Sequence, residues 1–284
     1  MIAILLAALL SGAPPFLAAD NAPSKRAVAF TFDDVPHGCS AATNRDLVAA
    51  IKRNRIPALG LAVGTRCSAL YRIWTDAGIE LGNHTASHRD FNVVPLEQFQ
   101  EDVIALEKAL PAKPRYFRFP FLRSGTELAK KRAFERFLTE RGYTNAVVTI
   151  DNDEYIYAAV YAGADEALAV RIRADYLRYM ESIFAFYEQL SRDTLGYELP
   201  QILLLHDNRL NADALDSLAA MARRRGYRFV SIDEALEDPA YRRNDAYVGR
   251  RGLSWLHRWA LDDGKKPPAQ PDVPDWVMKL YRAR

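Results

Sequence analysis

The chain has 284 residues, which is enough for one sizeable α/β domain, and 49% of them are hydrophobic. Its 38 basic and 36 acidic side chains nearly cancel, and no run of five or six like charges occurs. This balance argues against a nucleic-acid-binding protein, which would carry a clustered basic surface.

The chain begins with an almost wholly apolar stretch over residues 2–10, followed by prolines and small residues before Asp20. This pattern predicts a secretory signal peptide over residues 1–19 and export to the periplasm or the extracellular space. The stretch is short for a bilayer span, so we expect no stable membrane span after signal removal. The alternative is a buried N-terminal helix.

Beyond residue 26, short apolar runs alternate with longer segments of helical period, which is typical of repeated βα units around a parallel sheet. Strands are predicted at Ala27–Phe32, Ala58–Val63, Ile79–Gly82, Tyr116–Phe119, Ala146–Ile150, Ile202–Leu205 and Tyr227–Val230. Helices are predicted at Ala42–Asn54, Ser68–Asp76, Leu96–Leu110, Glu127–Arg141, within Ala164–Leu190, and at Ala212–Arg225. Seven parallel strands fit this pattern better than eight.

We expect a single catalytic domain over residues 20–284, with an irregular C-terminal tail from about residue 238. The tail carries Trp255, Trp259 and Trp276. These aromatic side chains are expected to pack on the barrel, and an aromatic platform for sugar rings is the alternative.

Charged side chains and histidines lie where the predicted strands end. They are Asp33, Asp34, His84, Arg118, Asp151 and His206. In barrels of parallel strands the active-site loops gather at the C-terminal edge, so we expect these side chains to converge in space.

A metal site is predicted from two histidines and an aspartate. His84 and His88 are four residues apart, so both imidazoles can face one point. Successive side chains of an extended segment alternate, so one of Asp33 and Asp34 can bind a metal while the other faces a reacting water. A carboxylate and two imidazoles suit a divalent metal such as zinc and leave a coordination position open. The alternative is a pair of surface histidines without a metal.

Four motifs occur in order along the chain: Thr31-Phe-Asp-Asp34, His84-x-x-x-His88, Arg118-x-Pro-Phe121 and Leu204-Leu-His-Asp207. Together they resemble the motifs of the polysaccharide deacetylase (NodB-homology) family, carbohydrate esterase family four, over about residues 27–236. The resemblance implies a distorted (β/α)7-type barrel with parallel strands. It also implies removal of N- or O-linked acetyl groups from sugars with one divalent metal.

The resemblance also implies a role for each motif residue. Asp34, His84 and His88 would hold the metal, which we expect to be zinc, with cobalt, nickel or manganese as alternatives. Asp33 would be the general base, oriented by Arg118. His206 would be the general acid, and Asp151 would pair with it and keep it cationic. The backbone N–H of Phe121 would bind the oxyanion.

Three further side chains are candidates for binding substrate. Tyr155 and Tyr157 follow the fifth predicted strand, where they could stack against sugar faces, although core packing is the alternative. His37 lies beside the first motif, and we expect it to line the groove rather than to act as an extra metal ligand. Glu154 and Tyr155 replace the usual Asp-Trp of the family.

The chain has two cysteines, Cys39 after the first motif and Cys67 after the second predicted strand. In an oxidising compartment we expect a disulfide between them, and two free thiols are the alternative.

These features predict an exported, metal-dependent deacetylase whose partner is a polysaccharide or oligosaccharide. The expected substrate is an N-acetylglucosamine polymer, either peptidoglycan or a chitin-like chain. One alternative is a deformylase or amidase that acts on a smaller or lipid-linked amino sugar. Another is a barrel that binds glycans without catalysis. The sequence leaves the oligomeric state open.

Overall fold

The structure, a computed structural model, describes residues 26–284. The predicted signal peptide over residues 1–19 lies outside the described residues. Between residues 26 and 284, no helix combines the length and the apolar character needed to cross a membrane.

The described residues form one sheet of seven parallel strands. The strands are β1 (Arg26–Val35), β2 (Leu59–Ala62), β3 (Glu80–Asn83), β4 (Tyr116–Phe117), β5 (Thr144–Asn145), β6 (Gln201–His206) and β7 (Tyr227–Phe229). Their order is β5-β4-β3-β2-β1-β6, and β7 pairs with β1. An isolated parallel bridge between Ile150 and Leu203 joins the segment after β5 to β6. The predicted fold class, a distorted (β/α)7-type barrel, is confirmed.

Ten α-helices accompany the strands between residues 26 and 284. They are α1 (Ala41–Arg53), α2 (Tyr71–Thr75), α3 (Leu96–Ala109), α4 (Leu128–Glu140), α5 (Glu154–Tyr161), α6 (Glu166–Leu195), α7 (Arg209–Arg224), α8 (Ile232–Leu236), α9 (Trp255–Asp262) and α10 (Asp275–Arg282). The side chains of Ser40, Asp165 and Asn208 accept hydrogen bonds from backbone N–H groups three residues further on. These are N-caps, which explain where α1, α6 and α7 begin.

The strands at the centre of the sheet are buried on both faces. β1 and β6 are apolar over most of their length, as expected for a parallel sheet covered by helices. A separate hydrophobic cluster, made largely of aromatic side chains, includes Phe117 of β4. In it the ring centroids of Phe91 and Phe119 are 5.4 Å apart and those of Phe117 and Phe134 are 5.2 Å apart. Each buried phenylalanine contributes about 1.5–3 kcal/mol, so this cluster gives firm support to the loops after β3 and β4.

The fifth strand lies earlier in the chain than predicted. The apolar run Ala146–Ile150 is buried, but β5 itself is Thr144–Asn145. The backbone N–H of Ala146 donates to the carbonyl of Phe117 at 2.7 Å, and the backbone N–H of Ile150 donates to the carbonyl of Ile202 at 3.0 Å. The run therefore crosses from β4 to β6 instead of extending β5.

The C-terminal tail is more regular than expected. Residues 239–242 form a short 3-10 helix, and α9 and α10 follow. Trp255 and Trp259 are buried in the main hydrophobic core, and Trp276 packs partly against it. The tail tryptophans therefore pack on the barrel, as expected, rather than forming the alternative sugar platform.

Candidate metal centre and active site

Asp34, His84 and His88 come together at the C-terminal edge of the sheet. Asp34 Oδ1 lies 3.3 Å from His88 Nε2 and 3.8 Å from His84 Nε2. The three side chains each offer one ligand atom, and these atoms all lie within 4.8 Å of one another. Two ligands bound tetrahedrally to zinc at about 2.0–2.1 Å are about 3.3 Å apart, so the spacing suits a single small cation.

The residues of this triad fit a divalent metal. Asp34 Oδ1 is buried and has no hydrogen-bond donor among the described residues. A buried carboxylate oxygen is rarely left without a partner, and a cation would supply one. Burial, helped by the nearby His84, lowers the pKa of His88 to about 4, so its imidazole is neutral at pH 7, as metal binding requires.

The backbone around the triad orients both imidazoles. His84 Nδ1 donates to the backbone carbonyl of Arg118 at 2.9 Å, which leaves the Nε2 lone pair free to face the metal position. The loop before His88 is held by the Asp102 carboxylate, which accepts from Ser87 N–H at 3.1 Å and from Ser87 Oγ at 2.8 Å. The sequence analysis did not identify Asp102 as a support of the site.

Two residues of the triad and Thr85, which follows His84, have an unusual backbone conformation. Asp34 has φ of 62°, Thr85 of 72° and His88 of 48°. Non-glycine residues in this left-handed region carry a cost of order 1–3 kcal/mol each and persist where the surrounding structure enforces them. At Thr85 the backbone N–H donates to the Asn83 side chain at 2.9 Å, which helps to hold the turn.

Asp33 is held apart from the triad by Arg118. The Arg118 guanidinium donates to Asp33 Oδ1 at 2.5 Å and to Thr31 Oγ1 at 2.8 Å, and both charged side chains are buried. The other oxygen, Asp33 Oδ2, lies 3.7 Å from His84 Nε2. One oxygen of Asp33 is thus occupied by the arginine, and the other faces the triad.

His206 lies at the end of β6, beside Asp33 in the register of β1 and β6. Its Nδ1 donates to the buried Glu154 carboxylate at 2.8 Å. Glu154 also accepts from Asn211 Nδ2 at 2.7 Å and from Asn208 Nδ2. Burial would lower the pKa of His206, but the charge and hydrogen bond of Glu154 outweigh it and raise this pKa to about 9. His206 is therefore a cation at neutral pH.

The structure corrects the expected partner of His206. Asp151 was expected to pair with this imidazole, but Glu154 does so, because α5 begins there and directs the carboxylate towards β6. Asp151 Oδ1 accepts from Asn152 N–H at 2.9 Å and lines the same cavity, where burial raises its pKa to about 7. No local sequence pattern distinguished Glu154 from Asp151 for this role.

The site opens into a cavity of about 830 Å³. Of the candidate substrate residues, His37 and the half-exposed Tyr155 line it. The structure corrects the expectation for Tyr157, which is fully buried and donates to Asp175 Oδ2 at 3.1 Å. Its ring packs 5.3 Å from that of Tyr179, so Tyr157 belongs to the core.

Phe121 lies at the rim of the cavity in a turn with φ of 57°. Its ring is half exposed, and its centroid lies 4.6 Å from that of His88. The Arg123 guanidinium lies over the other part of this ring, 5.3 Å from its centroid. The turn therefore sets the aromatic ring of Phe121 beside His88 of the triad.

Cys39 and Cys67 form a disulfide with an S–S distance of 1.97 Å. It links the loop after β1 to the segment that leads into α2. No free cysteine occurs among residues 26–284.

The fold and the site together define a class. It is a parallel (β/α) barrel with three side chains that could hold a metal ion, a carboxylate held by arginine and a histidine paired with a glutamate at one edge. Within this class, residues 20–135 match the family model of polysaccharide deacetylase. This match includes the first three of the four motifs and supports the predicted resemblance over that part of the chain.

Solved structures similar to this chain include members of carbohydrate esterase family four. A pseudoenzyme of this family from Bacillus anthracis is 18% identical, with 75% of this chain and 66% of that chain covered and a TM-score of 0.51. A peptidoglycan N-acetylglucosamine deacetylase is 18% identical, with 75% and 89% covered and a TM-score of 0.50. A family 4 carbohydrate esterase from Streptomyces lividans is 21% identical, with 74% and 95% covered and a TM-score of 0.49. At these identities the likeness concerns the fold, which a deacetylase and a pseudoenzyme share.

Proposed function

We propose that this chain is an exported, metal-dependent deacetylase that removes N- or O-linked acetyl groups from a polysaccharide. The expected substrate is the N-acetylglucosamine unit of peptidoglycan or of a chitin-like polymer. The observation that carries the proposal is the convergence of the Asp34, His84 and His88 triad with Asp33 and His206 in one cavity.

Asp33 is suited to act as the general base. When bound at the triad, a metal such as zinc would lower the pKa of a water molecule and polarise an acyl carbonyl. Asp33 Oδ2 faces the triad and can accept a proton from that water, while Arg118 keeps Oδ1 in place. Because the arginine fixes the carboxylate in advance, little reorganisation is needed when the proton moves.

His206 is suited to act as the general acid. Glu154 holds its Nδ1, so Nε2 is the nitrogen available to the cavity. A cationic imidazole can protonate the leaving sugar nitrogen or oxygen, which the departing group needs in order to separate from the acyl carbon. The β1 and β6 register pairs the backbone of His206 with that of Asp33, and both residues line the same cavity.

The retained machinery favours catalysis over glycan binding alone. The fold is shared with a pseudoenzyme, so it does not decide between the two. A protein that only binds glycans has no use for a buried arginine on Asp33 or for a buried carboxylate on His206. Both pairs are present in this chain, next to a complete metal triad.

Acetate release from acetylated chito-oligosaccharides and from peptidoglycan fragments tests this function, with zinc added and with zinc chelated. We expect release that depends on zinc and returns when zinc is restored. Formate release from an N-formyl sugar without acetate release would instead establish the deformylase alternative. Glycan binding by zinc-loaded protein with no release from any acyl sugar would refute the proposal and establish the binding alternative.

A further inference from the structure

Residues 244–258 of the C-terminal tail, which we call the strap, pass along the turn that carries Phe121. Lys131 on α4 is buried and donates to the backbone carbonyls of Asp245 at 2.8 Å and Tyr247 at 2.9 Å. Its ammonium also pairs with the Asp245 carboxylate at 2.7 Å. One end of the strap is thus fixed to the barrel by residues that do not line the cavity.

The middle of the strap is joined to the loop after β4. Gly249 N–H donates to the Gly125 carbonyl at 3.0 Å. Asn92 connects the two segments, because its Nδ2 donates to the Gly249 carbonyl at 3.2 Å and its Oδ1 accepts from Gly125 N–H at 3.0 Å. The strap therefore follows the loop towards the cavity, where its Gly252 lines the rim.

Arg258, in the first turns of α9, contacts the Phe121 turn directly. Its guanidinium donates to the backbone carbonyl of Leu122 and to Ser124 Oγ at 2.8 Å. It also pairs with Asp245 at 2.9 Å and lies 3.8 Å from the centroid of the Trp255 ring. Arg258 is fully buried, so these fixed donors are unavailable to solvent.

The turn that Arg258 holds is conformationally unfavourable. Phe121 and Leu122 have φ of 57° and 52°, so two consecutive non-glycine residues lie in the left-handed region. Such a conformation persists only where neighbouring groups enforce it. Gly252 packs closely against this turn, since an added Cβ at position 252 would lie 1.8 Å from the Phe121 carbonyl oxygen.

We propose that Arg258 is a positioning residue that, with Gly252, fixes the Phe121 turn and thereby aims the Phe121 N–H at the reacting acyl group. This inference rests on the proposed function, in which that N–H stabilises the oxyanion. Arg258 acts only through the turn, because its donors contact Leu122 and Ser124 and not the cavity. The C-terminal tail is accordingly part of the active-site construction.

The first test compares Arg258→Met with Lys131→Met. Both changes remove a cation from Asp245, but only the first removes the donors to the turn. We expect Arg258→Met to lower kcat by about 10- to 100-fold with KM and zinc content nearly unchanged. Lys131→Met should lower the thermal midpoint yet keep kcat within about threefold of wild type. Equal losses of kcat in the two variants would overturn the proposal.

The second test uses two glycines of the strap. It applies even if Arg258→Met does not fold. In Gly252→Ala the new Cβ collides with the Phe121 carbonyl, whereas in Gly249→Ala it meets the hydroxyl end of the flexible Tyr247 side chain at 2.4 Å. We expect a loss of kcat in Gly252→Ala alone. Wild-type kcat in Gly252→Ala would contradict the proposed positioning role.

Hydrogen exchange of the peptide 119–125 separates this inference from the proposed function. Arg258→Met should raise the exchange rate of this peptide at least about tenfold, and Lys131→Met should leave it unchanged. If wild type released no acyl group while exchange rose as expected, the proposed function would fail but the positioning of the turn would stand. Unchanged exchange in Arg258→Met would overturn the positioning role whatever the activity.

Discussion

The change Glu154→Gln isolates the charge that keeps His206 cationic. Glutamine retains the size of Glu154 but removes its charge. Burial opposes the charged imidazole, and Glu154 raises its pKa to about 9 against an ordinary value of 6.5. Without that charge we expect a pKa of about 6.5 or below, a change of about 2.5 pH units or about 3.4 kcal/mol.

The consequence for activity follows from the fraction of His206 that is protonated. At pH 8 an imidazole with a pKa of about 9 is about 90% protonated, and one with a pKa of about 6.5 is about 3% protonated. Because the acid must carry its proton, kcat/KM at pH 8 should fall about 30-fold in Glu154→Gln. At pH 6 the kcat/KM values of wild type and Glu154→Gln should differ much less, because His206 is then largely protonated in both enzymes.

The assay is acetate release from an acetylated chito-oligosaccharide, measured from pH 5.5 to 10 with zinc content checked at each pH. Wild type should lose activity above pH 9, and Glu154→Gln should lose it at least two pH units lower. Asp151→Asn is the matched comparison, because Asp151 lines the cavity without bonding to His206. An alkaline limb that moves more in Asp151→Asn than in Glu154→Gln would refute the assignment of Glu154 as the partner.

Three further results are expected. Asp33→Asn should keep zinc but lose at least about 100-fold in kcat. His84→Ala should lose zinc on dialysis, which elemental analysis would show. Equal zinc loss in both variants would disprove the separate roles of the two residues. Cys39→Ser, which breaks the bond to Cys67 28 residues away, should lower the free energy of unfolding by about 3–4 kcal/mol in urea denaturation, and an unchanged midpoint would contradict this. Tyr157→Phe should cost about 1 kcal/mol of stability and leave KM unchanged, so a raised KM would restore a substrate role.

Sequence reasoning found most of the strand ends, with β5 as an exception, because they depend on local patterns. Buried parallel strands are apolar runs, and the residues that follow them must meet at one edge of the barrel. Asp33, His84 and His206 could therefore be placed near one another before the structure was known. The bounds of α1 and α3 were also predicted to within one residue, because a cap or an apolar period marks where each begins and ends.

Sequence reasoning did not find the contacts that depend on how segments turn in space. The choice between Asp151 and Glu154 depends on the path from Ile150 into α5, which no local pattern encodes. Tyr155 and Tyr157 were both predicted to contact substrate after the fifth strand, but they lie on α5. On a helix, side chains two residues apart point to nearly opposite sides. One of them therefore faces the cavity, and the other faces the core.

The contacts of Arg258 were also out of reach, because it lies 136 residues from the carbonyl that it holds. An arginine in a tail rich in charged residues has no feature that marks it as buried. Only the packing of α9 against the barrel, with Trp255 under the guanidinium, identifies its role.

Arg118 serves the site through two different parts of one residue. Its main-chain carbonyl orients His84, and its guanidinium holds Asp33. Every amino acid at position 118 would retain that carbonyl, whereas only arginine supplies the guanidinium. Under the proposed function, a single mutation there would stop proton transfer and leave the metal ligands in place, so one evolutionary step would turn a hydrolase into a metal-loaded sugar receptor.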